Sequence, residues 1–466
     1  MLFTLKPVRQ LALAAAAIVL SGCASLSQAP ALTSFVVMGA DGAAIARVLT
    51  AAPACPSIRL DQHAFAMTLR APANTMAQRA TASALQDSKP SAFELLTCEA
   101  RIPPGTLHAS VAGRALALPR TRTERIVVIG DTGCRLKKNG AYQDCNDPAA
   151  YPFARIAALA AAWQPDLVVH VGDYHYRENA CPAERPGCAA SPWGYGWDTW
   201  NADFFTPAQP LLRAAPWVMA RGNHESCQRA GQGFRRFLDA RPLLIGRDCN
   251  NAADDAQGNH SDPFAVALGD GAQLIVLDTS NTASKGFAAQ DPRMAAFADT
   301  YRQMDALSHQ ARHNIVVTHH PILGIGAKQK DGVVSLYGGD KGLQASFGTL
   351  EAALLPNTVQ AVLSGHMHLW QQVSFSSGHP SQFVSGFSGT LEDTVPLPAT
   401  LPPGTAPAPG ALIDDISAWI DGFGFMTMER VGEAQWRVEV WDLHGAVRNT
   451  CTLSGKKSLC TVARVH

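Results

Sequence analysis

The chain has 466 residues, 47% of them hydrophobic, and 38 Lys+Arg against 38 Asp+Glu, so its formal charge is zero. That length can bury a large core and accommodates two or three domains. The even charge balance gives no electrostatic reason to expect nucleic acid as a partner, and no internal stretch has the apolar length needed to cross a bilayer.

The N-terminus reads as a targeting signal. Lys6 and Arg9 precede a short apolar run at 11–20, and the run ends in Leu20-Ser21-Gly22-Cys23. That tetrapeptide resembles a bacterial lipobox, which implies removal of residues 1–22 and a thioether-linked lipid on Cys23. Ala24 is not the aspartate that retains lipoproteins at the inner membrane. The expectation is an exported protein anchored in the outer membrane, facing the periplasm or the cell surface. An ordinary cleaved signal with Cys23 incidental is the competing reading. Residues 23–33, small or polar with a proline, read as a tether. The ten other cysteines include no Cys-x-x-Cys spacing, and an even number in an exported chain points to disulfides. Taken in order they give Cys55–Cys98, Cys134–Cys145, Cys181–Cys188, Cys227–Cys249 and Cys451–Cys460.

Residues 34–122 alternate short apolar runs with turns and lack helical periodicity. They read as a small all-β domain stapled by Cys55–Cys98, a spacer or lid wall. From 123 to 466 the texture is that of a catalytic α/β domain. A strand at 126–129 stops at Gly130-Asp131, and a helix follows at about 148–163. A strand at 167–171 stops at Gly172-Asp173, and one at 217–220 stops at Gly222-Asn223-His224-Glu225. A strand at 273–277 stops at Asp278, and a helix is expected near 294–308. A strand at 315–318 stops at His319-His320, a helix is expected at 349–355, and a strand at 361–363 stops at Gly365-His366-Met367-His368. Open α/β sheets place ligands outside the carboxyl ends of their strands, so parallel strands in one sheet would bring these polar residues to one rim. The segment at 187–205, rich in Trp and Tyr, reads either as a pocket wall or as a packed surface loop. Two paired strands near 424–430 and 435–442 and a hairpin closed by Cys451–Cys460 end the chain.

Carboxylates, an amide oxygen and imidazoles form a hard-to-borderline ligand set suited to Zn, Mn or Fe. Asp131, Asp173, Asn223, His319, His366 and His368 are too many for one tetrahedral ion, and two ions sharing a carboxylate fit better. Such a pair clamps an in-line displacement at phosphorus.

In this order the motifs resemble the calcineurin-like metallophosphoesterases. That superfamily usually writes its first motif Asp-x-His, and here Gly133 takes the histidine position. Gly130-Asp131-Thr132-Gly133, Gly172-Asp173-Tyr174-His175-Tyr176 and Val316-Val317-Thr318-His319 are similar to the variants found in purple acid phosphatases. The resemblance implies a metallophosphoesterase-type α/β sandwich, two sheets flanked by helices, after the small β domain. It also implies two ions, Fe(III) paired with Zn, Mn or Fe(II). One would be held by Asp131, Asp173, Tyr176 and His368, and the other by Asp173, Asn223, His319 and His366. His224 would face the substrate phosphate, and Glu225 would orient that imidazole or its loop. The Val-x-x-His register favours His319 as ligand and leaves His320 near the substrate. His175 lies either on the pocket rim or in the core, Tyr176 has a packing role as its competing reading, and Asp278 is expected to be a supporting acceptor or a helix cap. The implied activity is phosphomonoester hydrolysis of an acid-phosphatase kind, by attack of a metal-activated hydroxide on a small phosphate ester. A phosphodiesterase or nucleotidase on the same site, and a non-catalytic surface-binding lipoprotein, are the alternatives.

Overall fold

The computed structural model describes residues 1–2, 32–138 and 140–462. The lipobox and nearly all of the tether lie outside the described residues. Residues Ala31–His466 form one compact unit.

Two sheets carry the site. The larger has eleven strands, in the order Lys457–Cys460, Val447–Ser454, Gln435–Asp442, Gly424–Gly432, Arg125–Ile129, Leu167–His170, Trp217–Met219, Leu32–Met38, Ala44–Thr50, Leu96–Ile102 and Thr68–Ala71. The smaller has seven: Phe264–Gly269, Ala272–Val276, His313–Val317, Val359–Ser364, Ser381–Ser385, Trp370–Phe375 and Ile413–Trp419. Arg125–Ile129, Leu167–His170 and Trp217–Met219 pair in parallel in the first sheet. Ala272–Val276, His313–Val317 and Val359–Ser364 do so in the second. The six motif-bearing strands therefore lie in two sheets, three in each, and not in one.

Strand alternation explains the layering. Successive side chains point to opposite faces, so Ile126, Val128, Val169 and Val218 turn inward to meet Leu274, Val276, Ile315, Val317 and Leu363 of the other sheet. Val127, Ile129 and Val168 turn outward onto Phe153, Ile156 and Ala160 of the helix Phe153–Ala162. Ile275 and Val316 likewise pack on Phe297, Tyr301 and Met304 of the helix Arg293–Ser308. Helices thus cover the outer faces of a two-sheet sandwich, which is the expected architecture.

Three expectations change. The N-terminal region is β-rich as read, but its strand Leu32–Met38 pairs in parallel with Trp217–Met219 and three further strands continue the large sheet. Those strands extend the catalytic sheet, since their apolar faces are completed by its core. The helix expected at 349–355 is a run of turns. The helix lies just before it, at Lys341–Phe347, started by Asp340, whose carboxylate accepts the Leu343 N–H at 2.8 Å. The helix expected at 148–163 is shorter at its start, because Pro152 opens it. All five sequential disulfides form.

Candidate metal centre

Each candidate metal-binding side chain stands on a loop that follows a strand. Asp131, Asp173 and His366 take left-handed backbone conformations, with φ of 54°, 60° and 69°. Non-glycine residues adopt that region at a cost of about 1–2 kcal/mol each, and such strain collects at functional sites. Here the turn that creates it swings the side chain back over the sheet edge.

The Tyr176 hydroxyl is the centre of the first group. It lies 2.9 Å from Asp131 Oδ1, 2.8 Å from Asp173 Oδ2 and 3.0 Å from His368 Nε2. His368 Nδ1 donates to the Leu391 carbonyl at 2.8 Å, which leaves a lone pair on Nε2. A phenol has one proton, and here it faces two carboxylates and an imidazole lone pair. The set fits a cation: ligands about 2.0–2.1 Å from one ion stand roughly 3 Å from one another.

The second group shares Asp173. His319 Nδ1 is engaged with the Val171 carbonyl at 2.9 Å, so Nε2 faces Asp173 Oδ2 at 3.2 Å and Asn223 Oδ1 at 3.1 Å. His366 Nδ1 lies 3.0 Å from the same amide oxygen. Burial disfavours the charged imidazolium of His319, but Asp173 outweighs it and holds the ring up at about 9. Asp173 itself is driven well below the ordinary carboxylate range, its burial overcome by His319 and His224. The seven expected ligands thus come together, with Asp173 between the two groups. His320, whose ring is 4.3 Å from that of His366 and whose Nδ1 meets Thr279 Oγ1 at 3.1 Å, also stands within ligating reach of His319 and His366.

Two backbone details explain the departures from the usual motif. A Cβ at Gly133 would stand 2.8 Å from the Tyr174 carbonyl oxygen and the Tyr176 nitrogen, so a histidine has no room there and the Tyr176 segment fills the space. At Gly222 a Cβ would meet Asp173 Oδ1 at 2.0 Å, so this glycine lets the Asn223 loop close on the Asp173 carboxylate.

His224 is placed differently from its expected role. It is 7% exposed, its ring lies 3.8 Å from that of Tyr176, and its Nδ1 donates to the His175 carbonyl at 3.0 Å. Arg229 Nη2 stands 2.7 Å from Nε2. Burial and then Arg229 press its pKa well below the usual histidine value, so the ring is neutral and receives a hydrogen bond. Nε2 is 3.9 Å from Asp173 Oδ2, at the edge of the centre. His175, read as a substrate contact or a core residue, is core: it is 0% exposed and packs against Tyr195 and Trp200. Trp200 and Tyr195 are buried, so much of the aromatic segment is packing.

Glu225 orients the loop and not the imidazole. Its carboxylate accepts the N–H groups of Asp173, Tyr174, His175 and Gly222 at 2.9–3.2 Å. Burial and then Asp173 push its pKa up to about 8, against the pull of those N–H donors. Asp278 is the supporting acceptor expected: it binds Ser280 and holds Arg221, which precedes Gly222. Several supports were not legible in the motifs. Asp203 accepts from Cys134 N, Tyr176 N and Arg177 Nε, at 3.0, 2.8 and 2.6 Å. Arg229 is held by Glu178, and Arg135 by Asp393 at 3.0 Å. None stands at a strand end, the one signal that marked the ligands.

A family model described as calcineurin-like phosphoesterase matches residues 124–369, just over half of the chain. Among solved structures, a purple acid phosphatase from yellow lupin (Lupinus luteus) seeds is similar in fold, with a TM-score of 0.52 at 13% identity over 94% of this chain and 75% of that one. PhoD matches with a TM-score of 0.49 at 10% identity, over 93% of this chain and 92% of its own. A dimetal phosphatase from Danio rerio gives 0.37 at 13% identity, over 72% and 99%. No curated protein sequence matches the chain.

Proposed function

Because the chain belongs to the calcineurin-like phosphoesterase family and is thereby a metal-dependent hydrolase of phosphoric esters, we propose that it is an exported phosphomonoesterase of the purple acid phosphatase kind. The observation that carries the subgroup is Tyr176, whose hydroxyl meets Asp131, Asp173 and His368 within 3.0 Å. In this reading Asp131, Asp173, Tyr176 and His368 hold Fe(III), and Asp173, Asn223, His319 and His366 hold Zn, Mn or Fe(II). Two ions so held would supply Lewis acidity toward the phosphoryl oxygens and an activated water for in-line attack.

The chain's own groups do the rest. Arg229 and His224 stand together beside the bridging Asp173. A phosphate dianion entering there competes with His224 Nε2 for the Arg229 guanidinium, which is built for bidentate oxyanion contact. Nε2 released in this way is free to take up a proton and pass it to the leaving oxygen. His320 stands beside His366, within ligating reach of it and His319. Five disulfides suit an oxidising compartment, and we place the protein at the bacterial outer membrane through a lipid on Cys23. Among the described residues no helix is long and apolar enough to span a membrane.

Metal analysis with an ester panel tests the reading. Asp173→Ala or Asn223→Ala should abolish hydrolysis and reduce bound metal to one ion or none; full activity in either would overturn the dimetal centre. Iron-loaded protein should show a visible phenolate-to-iron band that Tyr176→Phe removes. A colourless, fully active enzyme indifferent to that change would remove the purple subgroup.

A further inference from the structure

The loop that follows the first metal ligand carries cations that the centre does not use. Leu136 is fully buried and bridges to Tyr142 and Arg177. Alternation then puts Arg135 and Lys137 together on the opposite face. Lys138, out of phase with them, turns to Asp87 and contacts both of its carboxylate oxygens at 2.8 Å. The Cys134–Cys145 disulfide and the Arg135 N–H bond to Gln143 Oε1, 3.0 Å, tie the segment down.

Arg135 lies over the Tyr176 ring, 5.7 Å from its centroid, with Nη2 3.0 Å from His368 Nδ1. Its Nε and Nη1 have no hydrogen-bond partner among the described residues, because Asp393 engages Nη2 alone. Lys137 is exposed and has no acidic partner among the described residues. By that alternation its side chain leaves the loop on the same side as Arg135, whose guanidinium stands at the Tyr176 ring and His368. Arg229 is already matched by Glu178, so Lys137 is surplus positive charge.

We infer that Arg135 and Lys137 form a second anion subsite beside the metal centre, and that the favoured substrates are nucleotides with a terminal phosphoanhydride, in which the leaving group is itself a phosphate. This rests on the phosphoesterase reading above. Hydrolysis of such an anhydride breaks the bond from the terminal phosphorus to the bridging oxygen, and the electron pair stays on that oxygen, now part of the departing phosphate. Water supplies hydroxyl to the attacked phosphorus and a proton to solvent. The new negative charge then sits on the group that Lys137 and Arg135 face, so the subsite answers charge as it develops.

Adenosine 5′-diphosphate and adenosine 5′-monophosphate differ by that one group. The metal-loaded enzyme should favour the diphosphate in kcat/KM, and Arg135→Gln/Lys137→Ala should lower the diphosphate-to-monophosphate ratio about ten-fold or more, the scale of a lost charge-assisted hydrogen bond. Calorimetry with the non-cleavable α,β-methylene diphosphate analogue should show the same loss, without reference to turnover. Hydrolysis of both esters with an unchanged ratio overturns the subsite and leaves the hydrolase standing. Binding that follows the variants in a protein that cleaves neither ester overturns the hydrolase and leaves the subsite. Equal binding of analogue and monophosphate by the wild type overturns the subsite outright.

Discussion

Asp203 is the sharpest point at which to disturb the centre without touching a ligand. It is fully buried, and its carboxylate accepts four hydrogen bonds: Cys134 N at 3.0 Å and Arg177 Nε at 2.6 Å on Oδ1, Tyr176 N at 2.8 Å and Arg177 N at 3.1 Å on Oδ2. Asn in its place has one oxygen for these donors and turns an amide NH2 toward the others. It also strands the Arg177 guanidinium, 5% exposed, without its counter-charge. Removing one partner of a buried pair costs about 3–5 kcal/mol, and some relaxation toward the Tyr151 ring, 5.7 Å from the guanidinium, is available. We expect Asp203→Asn to lose about 3 kcal/mol in denaturant unfolding of metal-free protein at neutral pH, the lower end of that range. The same change frees the Tyr176 backbone, so the visible band of iron-loaded protein should shift or weaken. Adding Arg177→Met should restore much of the stability, since the stranded charge is gone, but not the band. A loss below about 1 kcal/mol, or a double variant no more stable than the single, would refute the latch.

Three other outcomes follow from named contacts. Burial alone would raise the Asp239 pKa, but Arg241, Arg235 and Arg70 outweigh it and hold the group well below 3.8. Its contribution is therefore complete above that value and is lost only as pH falls beneath it. Thermal unfolding should show Asp239→Asn destabilised by about 3 kcal/mol at neutral pH, with the gap closing in strong acid. Replacing Cys134 and Cys145 by Ala opens a loop with a sequence separation of 11 and should cost about 3 kcal/mol in chemical unfolding; a diphosphate preference that survives intact would show that the staple does not position Arg135 and Lys137. Chelation should lower the unfolding midpoint, because metal binds the folded chain preferentially: an ion at a thousand times its Kd contributes about 4 kcal/mol. Asp173→Asn should shrink that chelator effect, as seen by calorimetry.

How much was legible follows from what each residue depends on. Asp131, Asp173, Asn223 and His366 could be read as candidate ligands because each follows a glycine where an apolar strand gives way, and hydrophobic period and glycine are local signals. The disulfides could be paired in order because each closes a short stretch of chain. What the sequence could not settle was which side of a strand or loop faces which neighbour. Whether the strands shared one sheet or two depended on pairing between distant segments. Whether residues 34–122 stood apart depended on Leu32–Met38 finding Trp217–Met219. The core position of His175 and the Asp203 latch are contacts across tens of residues, and the capture of His224 by Arg229, only five residues on, depends on how the loop folds back; no period or motif announces any of them. Tyr176 lies between the two kinds of knowledge. Its spacing after Asp173 marked it as a possible ligand, but only the packing of its backbone against Gly133 shows why a phenol stands where an imidazole is usual.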